Sequence, residues 1–257
     1  MAGKRAVIVG QGPQVAELIR TWLDLEAGPE LAWQTRADDA TLERELGLAL
    51  ARTPAGLRVA GRTIAQVDDL AGFEIAIHVE HERVHLQLAG QAAIGFDPAP
   101  VLAITPVLQA LERGPGLRWV SLSLAQGRSG ELAPFGLVEQ SAAAIEQALA
   151  RRLPGLVGRT MVGLVRGPQL GMRIELVALL GGSTTEVVAD VIEHLARSSP
   201  NELRACSLAD SATVLGDARL WIADRSQGVG PLARIVAHLD PEALLASRVW
   251  ARVASSG

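Results

Sequence analysis

The stretch RAVIVGQGPQVAELIRTWL (5–23) constrains the fold more than any other part of the chain. An apolar strand runs into Gly10 and Gly12, and Val15, Leu18, Ile19, Trp22 and Leu23 then recur at helical spacing. ELAWQ (30–34) reads as a second strand, and ADDATLERELGLAL (37–50) as a helix opened by acidic and Thr caps. LRVAGRTI (57–64) predicts a hairpin about Ala60-Gly61. FEIAIHV (73–79) and QAAIGF (91–96) read as further strands. Strand and helix alternating over residues 1–97 predict a Rossmann-like α/β domain on a parallel sheet of the nucleotide-binding type.

From residue 98 the pattern changes. A helix at 101–113 leads to a strand at 117–124, a Gly-rich loop at 127–136 and a helix at 138–151. GRTMVGLVRGP (158–168) and GMRIELVALL (171–180) read as strands, followed by a helix at 184–197. ELRACS (202–207), ARLWIAD (218–224) and LARIVAHL (232–239) read as strands before a last helix at 241–253. Paired strands with helices clustered between them predict an α+β domain over 98–240 with a largely antiparallel sheet. The helix 241–253 is assigned back to the first domain. The expected class is α/β plus α+β, with no internal repeat.

A chain of 257 residues is long enough to bury two modest cores. A net charge of −4 with both signs interspersed, and only three Phe and five Trp with no Tyr, argue against nucleic acid and against an anionic membrane surface as partners. MAGKRAVIVG enters a strand pattern without the apolar core of a signal peptide, and no apolar run reaches membrane-spanning length. The expected location is cytoplasmic. Cys206 is the single cysteine, which excludes an intramolecular disulfide and a cysteine-built zinc site.

Four groups of residues could carry chemistry. GQGPQV (10–15) resembles the dinucleotide fingerprint G-x-G-x-x-G, with Val15 in the third glycine position. The acid that would hold the ribose is replaced by Gln34 and Thr35. HVEHERVH (78–85) holds three of the five histidines; on a helix His78, His81 and His85 would share a face and could hold Zn²⁺ or Ni²⁺. On one strand they would not converge, and Glu80, Glu82 and Arg83 between them fit a solvated edge or loop, so no metal site is expected. Cys206, in an apolar strand pattern, is expected to be a structural core thiol. Arg128, Arg166 and Arg225 are candidates for an anion site, because guanidinium forks suit phosphate.

Placed in order, these pieces resemble the glyceraldehyde-3-phosphate dehydrogenase family over nearly the whole chain. LPGLVGRTMVGLVRGP (153–168) is similar to the family's L-P-x-L-x-G-K-x-x-G-x-x-x-R-V-P, keeping Leu153, Pro154, Leu156, Gly158, Arg166 and Pro168. SLADSATVLGDARLWIADR (207–225) keeps Gly216, Asp217, Ile222 and Asp224 of S-S-D-x-x-G-D-x-x-S-S-I-x-D. RIVAHLDPEALLASRV (234–249) keeps Asp240, Glu242, Arg248 and Val249 of the terminal signature. DDATLERELG and VAGRTI resemble D-x-x-T-L-x-H-L-L and V-N-G-x-x-I in the first half.

The resemblance implies a site whose chemistry has been removed. The family's catalytic turn, S-N-A-S-C-T-T-N-C-x-A-P, is similar to GFDPAPVLAITP (95–106), which puts Ala99 in the place of the cysteine nucleophile. The general-base histidine falls near Gln126, and the asparagine that orients the nicotinamide falls at Pro241. Of the phosphate-binding set only Arg166 is retained, and Gly10 and Gly12 remain of the cofactor turn. The chain is also much shorter than the family's usual length. Hemithioacetal formation needs a thiolate and a base beside it, and a methyl group supplies neither. The implied protein is a non-catalytic relative with a structural, regulatory or binding role and no working cofactor, NAD being the one its glycines would suit. Two alternatives stand beside it: an NAD(P)-linked oxidoreductase or other enzyme of altered chemistry on a phosphorylated metabolite, and an oligomerisation partner of itself or of an active related dehydrogenase.

Overall fold

The computed structural model describes residues 4–34, 43, 47–80, 83–126, 135–166, 171–182, 185–206, 214–223 and 227–256. The chain divides into two compact units, residues 1–96 with 245–257, and residues 97–244. No helix among the described residues is long and apolar enough to cross a membrane.

The first unit is built on an eight-stranded sheet. Its elements are β1 (Arg5–Val9), α1 (Pro13–Leu23), β2 (Glu30–Gln34), β3 (Leu50–Thr53), β4 (Gly56–Val59), β5 (Arg62–Gln66), β6 (Ile75–Glu80), β7 (Arg83–Leu88) and β8 (Ile94–Gly95). The order is β3-β4-β5-β2-β1-β6-β7-β8. Only β5, β2, β1 and β6 run parallel; β3-β4-β5 at one side and β6-β7-β8 at the other are antiparallel. The sheet is therefore mixed, where strand–helix alternation predicted a parallel one. The physical reason is the short connection after β6, which has room for a hairpin and none for a crossover helix.

The central strands β1 and β2 are buried on both faces, with Val7 and Ala32 on one and the larger side chains on the other. Ile8, Trp33, Ile64, Ile77 and Leu86 are all essentially inaccessible, and Trp22 of α1 is buried with them. The hairpin at Ala60-Gly61 is present, with φ of 48° at Ala60 and 84° at Gly61, the two positive angles of a type I′ turn. QAAIGF shrinks to the two-residue strand β8; of HVEHERVH, residues 78–80 end β6 and 83–85 begin β7, with Glu80 and Arg83 exposed, and 81 and 82 lie outside the described residues. The helix expected at 37–50 falls mostly outside the described residues, and Leu50 belongs to β3.

The second unit contains α2 (Ala99–Arg113), β9 (Leu117–Gln126), α3 (Phe135–Arg152), a 3-10 turn (Pro154–Leu156), β10 (Thr160–Arg166), β11 (Met172–Leu180), α4 (Thr185–Ser198), β12 (Leu203–Cys206), β13 (Leu220–Ala223), β14 (Gln227–Val229) and β15 (Leu232–Leu239). Helix α5 (Pro241–Ser255) follows, and the division between the units falls inside it. The sheet order is β10-β9-β11-β15-β13-β12, with β14 also on β15. β9 and β10 are parallel, as are β12 and β13; the remaining pairings are antiparallel. Alternation along each strand sets the layers. Leu122 and Leu124 of β9, Ile174 and Leu176 of β11, Ile235 and Ala237 of β15 and Ile222 of β13 lie in register and are buried. Their neighbours on the other face are half-buried to exposed.

Candidate functional site

The glycine turn after β1 has two different glycines. A Cβ on Gly10 would lie 2.5 Å from the carbonyl oxygen of Val79, so the close approach of β1 to β6 forbids any side chain there. A Cβ on Gly12 would meet nothing within 4 Å, and this glycine is held by its φ of 100° at the start of α1. The space beside Gly12 is the place where a helix N-terminus would meet an anion.

The surrounding residues do not fit a dinucleotide. Pro13 at the first helical position carries no N–H, and the N–H of Val15 is already bonded to the Gly12 carbonyl at 3.0 Å. The Val15 side chain is buried where the fingerprint needs a glycine for close packing. At the end of β2 the Gln34 side-chain amide donates to the Asp68 carbonyl at 2.8 Å, so it serves the loop rather than a ribose. Thr35 lies outside the described residues.

Ala99 is the first residue of α2 and is 3% exposed. Pro98 caps the helix with an extended backbone, and its carbonyl accepts from Val101 at 2.9 Å and from Leu102 at 3.1 Å. Pro100 has no N–H to offer an oxyanion. Asp97, just before this turn, accepts from Arg151 at 3.1 Å and from Arg152 at 2.7 Å. Burial pushes the Asp97 carboxyl up, but the hydrogen bonds from Arg152 and Arg151 outweigh it and hold the group below its ordinary value. Two guanidiniums beside a helix start could have received a phosphate; here they are engaged by a carboxylate.

Gln126 and Arg166 are brought together. They are the last residues of the parallel strands β9 and β10 and are direct register partners. Arg128 and Arg225 lie outside the described residues. Cys206 is half-buried rather than a core residue, and its thiol donates to the Ile222 carbonyl at 3.4 Å.

Several residues on which the resemblance rests have structural work. Asp240 is the N-cap of α5: it accepts from Ala243 N–H at 3.0 Å and, through its other oxygen, from Gly216 N–H at 2.8 Å. Asp217 accepts from Arg219 and from the Trp221 indole at 3.0 Å. Burial raises the Asp217 carboxyl, but the Arg219 and Trp221 hydrogen bonds prevail and lower it. The sequence Asp-Pro-Glu at 240–242 carried the capping signal, an N-cap acid before proline at the first helical position. The Asp97 cluster had no local signal, because its arginines lie more than fifty positions away.

His78 and His85 are brought opposite one another: they are direct register partners of the antiparallel strands β6 and β7, on the face opposite Ile77 and Leu86, and both are half-buried. The same row continues through Val9 of β1 to Gln34 of β2 on one side and to Gly95 of β8 on the other. It is the carboxyl edge of the parallel strands. No protein-family model and no curated protein matches this chain.

Proposed function

We propose that this chain is a non-catalytic relative of the glyceraldehyde-3-phosphate dehydrogenase family with a structural, regulatory or binding role. The observation that carries the reading is Ala99: a buried methyl group at the head of α2, held between two prolines, where the family's turn needs a thiolate. The poor fit of the Gly10–Val15 turn to a dinucleotide supports it independently. The test is direct. Purified protein incubated with glyceraldehyde 3-phosphate, inorganic phosphate and NAD⁺ or NADP⁺ yields no reduced nucleotide, and neither nucleotide raises the melting temperature. Turnover that scales with protein and survives repurification overturns the reading; nucleotide stabilisation alone favours an enzyme of altered chemistry.

A second reading, an oligomerisation partner, is favoured by the open face of the second sheet. Met161 and Val165 of β10 and Leu232 of β15 are 54%, 56% and 47% exposed there. Light scattering on the purified chain gives a mass above the monomer if this reading holds, and the monomer mass counts against it.

A further inference from the structure

We propose that His78 and His85 form a two-imidazole site for a borderline divalent cation of the Cu²⁺, Ni²⁺ and Zn²⁺ class. The proposal is independent of any family relationship and rests on register. In an antiparallel pair, directly opposed residues hold their Cβ atoms about 4.5–5.5 Å apart on one face. Two imidazoles on such a pair can bring one nitrogen each to a shared ion at about 2.0–2.1 Å by side-chain rotation alone. His78 and His85 are such a pair, and their flanking residues Ile77, Val79, Val84 and Leu86 are buried on the opposite face. The core thus fixes which way both rings project.

The strands on either side bring no competing ligand. Across β7 from His85 stands Gly95, and the His85 ring lies over it: a Cβ there would be 3.4 Å from Nδ1, so only a glycine lets the imidazole take that position, and rotation about its side-chain bonds turns it toward His78. Across β6 from His78 stands Val9, which offers no competing donor. Along the same face the next row toward the turn holds Glu80 opposite Arg83, and the next row away holds Ala76 opposite Gln87. Among the described residues no third His, Cys, Asp or Glu completes a cluster. Two protein ligands leave the other positions to water or an exchangeable ligand, one protein ligand fewer than a catalytic zinc site keeps. Imidazole donors select Cu²⁺, Ni²⁺ and Zn²⁺ and leave Mg²⁺ unbound.

The experiment is a calorimetric titration of the untagged full chain with CuCl₂, ZnCl₂ and MgCl₂, repeated on His78→Gln, His85→Gln, the double variant, His81→Gln and His194→Gln. The expected result is one equivalent of Cu²⁺ bound more tightly than Zn²⁺, and none of Mg²⁺. Each single variant of the pair should lose at least about tenfold in affinity, the loss that removal of even an outer-shell partner brings. The double variant should show no saturable binding. The paramagnetic resonance spectrum of the Cu²⁺ form should carry coupling from two imidazole nitrogens, and from one in each single variant. Circular dichroism checks that the variants fold, since both histidines are half-buried. Absence of saturable binding, binding that persists in the double variant, or binding carried by His81 or His194 instead of the pair overturns the proposal.

Discussion

Arg62 donates from Nη1 to the carbonyls of Trp22, Leu23 and Leu25, at 2.8, 3.2 and 3.2 Å. Its guanidinium also lies 3.8 Å from the centroid of the Trp22 ring, whose indole N–H is bonded to the Pro29 carbonyl. One side chain from β5 therefore satisfies the carbonyls that α1 leaves open at its end and holds a buried tryptophan in place. An open groove of about 430 Å³ runs alongside, lined by Trp22, Pro29, Glu30, Arg62 and Thr63 among others. Among the described residues its one lining cation, Arg62, is already committed to backbone carbonyls, which is why it makes a poor anion site. Arg62→Met keeps the aliphatic stem and removes the donors and the charge. Hydrogen bonds to a charged donor contribute about 1.5–3 kcal/mol and a partly desolvated cation–π contact about 1. Overlap between them and residual hydration put the expected loss at about 1–3 kcal/mol. Urea denaturation should show a lower midpoint with an unchanged slope.

At the scale of elements, capping decides where helices begin. Asp240→Ala removes the cap of α5 and leaves the Gly216 N–H without its acceptor. Loss of an N-cap costs about 0.5–2 kcal/mol, and stranding a part-buried donor adds to it, so a total near 2–3 kcal/mol is expected in thermal melts. Asp97 joins the start of α2 to the end of α3 in the same way. It is held below its ordinary value of 3.8, as is Asp217, and Glu175 is held below 4.5, chiefly by the hydrogen bond from Arg234. Each binds its proton more weakly folded than unfolded. Their stabilisation is thus full above those ordinary values and drains away as pH falls through the lower folded ones. Melting temperature should fall as pH drops from about 5 to 3, and Asp97→Asn should start lower at neutral pH and decline less steeply. The elements themselves were legible because periodicity reports burial: α2, β11, β15 and the Ala60-Gly61 turn lie within a residue or two of where apolar spacing put them. What the sequence could not carry was pairing. His78 and His85 diverge on one strand and converge on two, and only the hairpin register distinguishes the cases. The Ala99 turn, by contrast, could be located, since two prolines around a small residue mark a helix start whatever lies in front of it.

At the scale of the molecule the two sheets differ in what covers them. The second sheet carries its buried row on one face, and on the other it presents Met161, Ser121 and Val177 in one register row and Val165, Ala125 and Arg173 in another. Six strands at about 4.8 Å and some seven residues at about 3.3 Å make a face roughly 25 Å on a side. That is about 600 Å², somewhat less than the roughly 800 Å² per partner of a standard interface. The ions on it are largely matched within the chain: Glu175 accepts from Arg234 at 2.6 Å and lies 3.5 Å from Arg173. Such a face can meet an apolar surface without stranding a lone carboxylate. β10 is moreover an edge strand, and its exposed Met161 and Val165 would invite uncontrolled pairing if nothing occupied them. A lysine or glutamate at Met161 or Val165 should therefore divide the possibilities. If copies assemble through this face, Met161→Glu with Val165→Lys reduces the assembled mass to that of the monomer in sedimentation velocity, while the melting temperature of the dilute protein, already dissociated, moves little because neither side chain is buried. If assembly proceeds elsewhere, the mass is unchanged by the pair of charges, and the open face is excluded as the interface.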